Sequence, residues 1–270
     1  MSNTHSSIKA KLNFVNPKPG VTPRVTYLGD NTPQQFNEAY QKLEVTIHNA
    51  RSDQKLFKLH EHGFEMTQSD VQHINFDDET SIINNYYKEV EKLVKQTSGA
   101  SHVFIFDHTI RKGLANSPRK PAQHVHVDYT TRTGPSRAAE MIGHQALEKL
   151  HGKRFIQVNV WRSINGTVEE SPLALLDSQT LDENDLVTAE IEFRDKNRVG
   201  EIYALRHNAG QSWYYYPDMN EQDSLLIKGY DTDNDAVSHF TPHSAFDDPT
   251  SHADAKPRQS IEVRSFAFFE

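Results

Sequence analysis

Gln123-His124-Val125-His126-Val127-Asp128-Tyr129-Thr130 is the stretch whose reading decides the fold. In an extended chain, successive side chains point to opposite faces. Val125 and Val127 then share one face, and His124, His126 and Asp128 share the other. An imidazole and a carboxylate two residues apart on one strand face can grip a single metal ion together. A distant His completes a facial triad of two His and one carboxylate, which leaves open positions on Fe(II) for a co-substrate and O2. His-x-Asp also occurs on polar strand faces that bind nothing, and His124 with His126 offers a rival His-x-His pair. The tripeptide therefore needs support from the rest of the chain.

The 270 residues are enough for one large domain or two small ones. A domain of this length buries most of its unfolded surface without a disulfide or structural metal. Hydrophobic residues make up 36% and charged residues 24%, a composition of globular rather than disordered chains. The net charge of −8 disfavours nucleic acid as a partner. No apolar run approaches a membrane span, and Met1-Ser2-Asn3-Thr4-His5 lacks the regions of a signal peptide. The absence of Cys excludes thiolate metal sites, thiol nucleophiles and disulfides, and fits a cytoplasmic location.

Residues 1–25 are polar, with scattered Pro17, Pro19 and Pro23, and read as an N-terminal arm over the surface, docked by Leu12, Phe14 and Val15. Residues 26–270 read as one domain. Residues 42–50 alternate as a half-buried strand does, and 57–60 with 63–66 read as further strand around a turn. Between 78 and 97 the period changes. Ile82, Ile83, Tyr86, Tyr87, Val90, Leu93 and Val94 mark one helix face, and Ser98-Gly99 ends it. Residues 102–108 read as a buried strand, followed by a basic loop with Arg111, Lys112, Arg119 and Lys120. Gly134-Pro135-Ser136-Arg137 opens a second helix, which runs through Met141, Ile142, Ala146, Leu147 and Leu150 to Gly152. Strands follow at 154–161, 172–176, 186–193, 201–206, 213–216, 225–230 and 260–269. Many short strands between turn residues suggest a sandwich or jelly roll, mainly β with flanking α-helices.

A jelly-roll metal site takes its distal His from another strand, and His207, His239, His243 and His252 are the candidates. His243 is the best placed. Phe240-Thr241-Pro242-His243-Ser244-Ala245-Phe246-Asp247-Asp248-Pro249 lies between two strand candidates, far enough from His126 for the intervening strands. Arg258-Gln259-Ser260 follows at the start of the last strand. A co-substrate such as 2-oxoglutarate chelates iron through its keto-acid end, and its far carboxylate needs a cation and a hydroxyl donor. The planar fork of Arg and the hydroxyl of Ser meet that need. Arg264 is the competing cation, an even number of residues along the same strand.

With these residues assembled, the chain resembles the hydroxylase/desaturase family of natural-product pathways, which includes a cephem methoxylase subunit and fungal desaturase and endoperoxide-forming relatives. The resemblance runs from about Leu12 to Phe269. Phe106-Asp107-His108, His126-Val127-Asp128-Tyr129-Thr130, Gly134-Pro135-Ser136-Arg137 and Asn159-Val160-Trp161-Arg162 carry its first half. Ser171-Pro172-Leu173-Ala174, Trp213-Tyr214-Tyr215, the segment around His243 and Arg258-Gln259-Ser260-Ile261-Glu262-Val263-Arg264 carry the rest. It implies a double-stranded β-helix (jelly-roll, cupin-like) core and a non-haem Fe(II)- and 2-oxoglutarate-dependent dioxygenase. His126, Asp128 and His243 would be the iron ligands, and Arg258 with Ser260 is favoured over Arg264 for the co-substrate. Ser163 stands where relatives often have Pro, with no effect on this chemistry. Oxidative decarboxylation of 2-oxoglutarate by O2 would yield succinate, CO2 and an oxidant that takes a substrate hydrogen. Hydroxylation, desaturation, ring closure or peroxide formation can follow.

Around that centre, Arg162 and Trp161 are expected near the co-substrate. Tyr129, Trp213, Tyr214 and Tyr216 could line an amphipathic pocket, and Arg111 and Arg137 could meet an anionic substrate group. Asp107 and His108 could orient a ligand. Each also has a plain reading as core or solvated surface. The expected partner is a small natural-product or amino-acid-like molecule, with no nucleic acid and no membrane, and a homodimer is left open. Two other functions stay in play: an iron oxidase that does not use 2-oxoglutarate, and a non-catalytic subunit of a two-component oxygenase.

Overall fold

The computed structural model describes residues 5–28, 34–53, 56–114, 117, 119–143 and 153–270. In chain order the strands are β1 (Ser7–Val15), β2 (Arg24–Tyr27), β3 (Gln35–Phe36), β4 (Tyr40–Asn49), β5 (Phe64–Gln68), β6 (His102–Lys112), β7 (His126–Val127) and β8 (Phe155–Ser163). They continue with β9 (Leu173–Leu176), β10 (Leu186–Phe193), β11 (Arg198–Leu205), β12 (Trp213–Tyr215), β13 (Asp223–Asp231), β14 (His243–Ala245) and β15 (Gln259–Phe268). The α-helices are α1 (Leu59–His62), α2 (Glu79–Ser81), α3 (Tyr87–Ser98) and α4 (Thr133–Ile142). One sheet runs β1-β4-β12-β9-β14-β7-β11-β10-β2-β3, and the other runs β5-β13-β8-β15-β6. This is the mainly β, jelly-roll architecture expected, with α3 covering the outside of the smaller sheet and α4 packed against the apolar cluster between the sheets.

The sequence of β8 shows why. All nine of its residues are buried, because the strand is covered on both faces. Ile156, Val158 and Val160 pack under Val90, Leu93 and Val94 of α3. Burial of each such aliphatic side chain stabilises by about 1.5–3 kcal/mol. The intervening Phe155 and Trp161 enter apolar clusters between the two sheets, Phe155 with Val127 and Trp161 with Leu175. Strand β15 repeats the pattern. Ile261 and Val263 face α3, so Ser260, Glu262 and Arg264 face the space between the sheets. The helix that covers this sheet starts at Asp78, whose carboxylate accepts from the Thr80 and Ser81 amides. A π-helical turn over Ile82–Tyr86 joins α2 to α3, and Gly99 ends the run with φ 74°.

Several sequence expectations are corrected. Residues 7–15 are not a surface arm but strand β1, paired along its whole length with β4. Leu12, Phe14 and Val15 are buried as expected, and so are Ile8 and Ala10. Residues 59–62 form a helical turn rather than strand, closed by Gly63 at φ 84°. Four residues are too few for periodicity to separate the two. Arg111 and Lys112 belong to β6, where they pair with Ser260 and Gln259, rather than to a loop. Helix α4 ends at Gly143, and the expected continuation through Ala146, Leu147 and Leu150 lies outside the described residues. Its N-terminus needs Gly134, because a Cβ there would stand 2.9 Å from the Tyr230 ring.

Candidate metal and co-substrate site

Strand register builds the site. β14 and β7 pair antiparallel with His243 directly opposite His126, and directly opposed residues share a face. The two imidazole centroids lie 4.6 Å apart. Asp128, two residues beyond His126, returns to that same face. One donor atom from each of His126, Asp128 and His243 falls within 4.8 Å of the other two. His126 and His243 are both buried.

Backbone and side-chain contacts aim all three donors. His126 Nδ1 lies 2.8 Å from the His124 carbonyl and His243 Nδ1 lies 2.9 Å from the Thr241 carbonyl. A carbonyl only accepts, so each Nδ1 carries the proton and each Nε2 presents a lone pair. Asn159 donates to Asp128 Oδ2 at 2.8 Å and Arg264 Nε at 3.3 Å, while Oδ1 faces His126 Nε2 at 3.6 Å. Burial pushes the Asp128 carboxyl up, but Arg264, the two imidazoles and the Asn159 amide outweigh it and hold it well below the usual range. Burial, followed by the neighbouring His243, pushes the His126 imidazole down to about 3. At neutral pH the set is therefore one carboxylate with a neutral His126, the protonation states a divalent metal requires. Among the described residues this is the one such cluster, and His-x-His is not the pair that forms it: His124 stacks on His126 at 4.2 Å, with its Nδ1 against Gln34.

The two candidate arginines for the co-substrate sit in opposite circumstances. Arg264 donates to Asp107, Thr109 and Asp128 at 3.0–3.3 Å and to Glu262 at 2.5 Å. Its charge is compensated and its donors are engaged. Arg258 is buried, its Nε has no partner, and it makes no ion pair among the described residues. One Nη bonds the Ser171 carbonyl, and its guanidinium lies 5.3 Å from the Trp161 ring centroid. Burial, then the charge of Arg111, pushes it down to about 9. Ser260 is buried two residues further on the same face.

Other expected residues fall elsewhere. Arg162 faces away from the site, as its even position in β8 requires. It donates to Tyr86, Ser69, Ser224 and the Glu221 carbonyl beneath the helix layer. Trp213 is packed with Phe14 and Ile47, and Tyr216 with Phe57 and Phe64. Both are core rather than lining. Tyr129, Arg111 and Arg137 do line the cleft above the triad, which has a volume of about 700 Å3. Arg137 is already paired with Glu140 at 2.8 Å. Asp107 braces Arg264, and His108 bonds the Tyr87 hydroxyl at 2.9 Å. Asn159 and Arg119 are functional-site neighbours that sequence reasoning did not assign. The parity of β8 could have found Asn159, since it lies two residues from Trp161.

A jelly roll carrying two imidazoles and one carboxylate round a single point defines a class, the mononuclear non-haem metal oxygenases. The model of the oxidoreductase/YMDC permease-like domain matches residues 12–268. The Fe(II)/2-oxoglutarate-dependent dioxygenase nvfI of Aspergillus novofumigatus is 30% identical over 271 residues, 96% of each chain. Hydroxylase/desaturase efuI of Hormonema carpetanum is 27% identical, covering 86% of this chain and 85% of that one. A solved structure of the iron and alpha-ketoglutarate-dependent endoperoxidase NvfI superposes with a TM-score of 0.87 at 27% identity, over 98% of this chain and 99% of that one. The chain belongs to this oxidoreductase family, the Fe(II)- and 2-oxoglutarate-dependent dioxygenases.

Proposed function

We propose that His126, Asp128 and His243 hold Fe(II), that Arg258 with Ser260 holds the far carboxylate of 2-oxoglutarate, and that the enzyme oxidises a small natural-product molecule in the cleft. The observation that carries this reading is the cross-strand pair of imidazoles, each with Nδ1 fixed on a carbonyl and Nε2 free beside Asp128. The donor set is one that Fe(II) accepts, with coordination positions to spare. Bound there with 2-oxoglutarate, Fe(II) supplies O2 activation and hydrogen abstraction. The protein's own residues prepare that chemistry. Arg264 and Asn159 keep Asp128 anionic and turned toward the imidazoles. Arg258 offers an uncompensated cation to a carboxylate, and Trp161 holds its guanidinium in place. Tyr129, Arg111 and Arg137 border the space for the substrate.

The test is anaerobic. Fe(II) and then 2-oxoglutarate are added to the metal-free protein, and the weak visible metal-to-ligand charge-transfer band is followed, with His126→Ala as the control. A band in the wild type alone supports the triad. Iron binding without a band favours the oxidase. No iron binding favours the non-catalytic subunit. Among the described residues no helix is long and apolar enough to cross a membrane. A cytoplasmic enzyme is the location we propose, supported by the absence of Cys. A homodimer is compatible with this reading, and sedimentation equilibrium decides it.

A further inference from the structure

The charges lining the cleft do not balance where the substrate would lie. Its four carboxylates each face a cation already. Asp107 and Asp128 meet Arg264, Glu140 meets Arg137, and Glu201 meets Arg132. Two half-buried arginines on the same wall have no acidic partner among the described residues. Among the described residues, the Arg111 guanidinium has only a 3.1 Å hydrogen bond from Nη1 to the Lys120 carbonyl. Among the described residues, Arg119 has no hydrogen bond or ion pair through its guanidinium, which lies 5.8 Å from the Phe193 ring centroid. Burial, then Arg111 and Arg264, makes Arg119 less basic. Keeping them together costs stability in the empty protein, and an anion between them recovers it.

The apolar side of the same cleft is formed by Tyr27, Phe193, Ile191 and Tyr129. Tyr27 and Phe193 stack at 5.0 Å. We infer that Arg111 and Arg119 form a recognition site for the anionic head of the substrate, whose apolar body lies on the Tyr27–Phe193 wall. The substrate class is then an amphipathic organic anion, most simply a carboxylate, which the guanidinium fork matches bidentately. This rests on the proposed reading of the iron site, but Arg258, not Arg119, is the residue assigned there to 2-oxoglutarate.

8-Anilinonaphthalene-1-sulfonate and N-phenyl-1-naphthylamine test it, because they share an apolar body and differ by one anionic group. Both are titrated by fluorescence into the full chain, anaerobically with saturating Fe(II) and 2-oxoglutarate, and again without them. The sulfonate should bind at least about 10-fold more tightly than the neutral amine. Arg119→Gln and Arg111→Gln should each cut that preference by about 5-fold or more, and the exposed Arg206→Gln should leave it intact. Arg119→Gln should also keep the 2-oxoglutarate charge-transfer band. Equal binding of the two probes by the wild type, or a preference unmoved by Arg119→Gln, overturns the inference. Absence of the band in the wild type overturns the iron reading instead, and leaves the ratio of probe affinities to be judged by itself.

Discussion

Replacing Arg258 by Met separates binding from folding, because the two should respond in opposite directions. The guanidinium is buried with no ion-pair partner among the described residues, and its displacement down to about 9 disfavours the charged form by about 5 kcal/mol at 1.36 kcal/mol per pH unit. A base whose folded value is depressed carries that penalty in full below about pH 9 and loses it as pH rises toward its ordinary value, so measurements at pH 7 report all of it. The Ser171 carbonyl bond and the Trp161 contact return about 1–2 kcal/mol. Met fills most of the same volume without a charge. Arg258→Met should therefore make the ligand-free protein more stable, by about 3–4 kcal/mol in urea denaturation. The same change removes the cation offered to the co-substrate, so the affinity for 2-oxoglutarate, read from the charge-transfer band, should fall by about 100-fold or more. A variant that loses stability and binds 2-oxoglutarate as the wild type does would refute this reasoning and make Arg258 a structural residue.

Three further outcomes follow from the geometry. Asn159→Ala removes the amide that donates to Asp128 Oδ2, and Fe(II) affinity in an anaerobic titration should drop by about 10- to 100-fold. Unchanged affinity would show that Arg264 alone orients the carboxylate. Gly134→Ala places a methyl group 2.9 Å from the Tyr230 ring, which should cost about 1–3 kcal/mol of stability in urea, partly restored by adding Tyr230→Leu. The third concerns acid. Asp231 is buried between Arg154, at 2.6 and 3.0 Å, and Lys228 at 3.1 Å. Burial raises its carboxyl, but Arg154 and Lys228 outweigh that and hold it below its ordinary value. A depressed carboxyl stabilises in full above its unfolded value of about 3.9 and loses that contribution as pH falls through the folded value. Stability against thermal unfolding should therefore weaken below about pH 4, and Asp231→Asn should flatten that acid limb without abolishing it, because Asp128 shares it.

The triad was legible because its chemistry is local. His126 and Asp128 share a face by strand parity alone, and His243 stands in a segment whose flanking strands are strongly patterned. The cross-strand register that opposes His243 to His126 was not legible, since β14 has three residues and β7 two, too few for a pattern. Arg162 was misread for a different reason. A polar residue in a strand buried on both faces has no solvent side to reveal its direction, and the choice falls to a network of Ser69, Ser224 and Tyr86 that no local pattern announces. Strand β1 was missed because its charged residues, Lys9 and Lys11, alternate with small and apolar ones on an edge strand, where Lys is expected at the solvent face. Its role is positional: Asn13 holds the site stretch through its carbonyl to the Val125 amide and its side chain to the Gln123 carbonyl.

Arg258 just precedes β15 and Arg264 lies within it, yet the fold gives them different surroundings, and charge compensation is what divides them. Arg264 is surrounded by Asp107, Asp128 and Glu262, so burial is outweighed and its cation is held more firmly than in water. Such a group cannot release its acceptors to a ligand without leaving several buried carboxylates unpaired, which would cost far more than a new ion pair returns. It is therefore suited to fixing Asp128. Arg258, Arg111 and Arg119 are the reverse case. Each is wholly or partly stripped of water, none has an ion pair to its guanidinium among the described residues, and each is stabilised by the arrival of an anion. On the proposed function, the same rule gives them opposite ends of one reaction: the deeply buried Arg258 the co-substrate beside the metal, and the half-buried pair the substrate at the cleft. An arginine substitution in this enzyme is accordingly interpretable from its neighbours. Loss of a compensated one should unfold or disorder the site, and loss of an uncompensated one should leave the fold and remove a ligand.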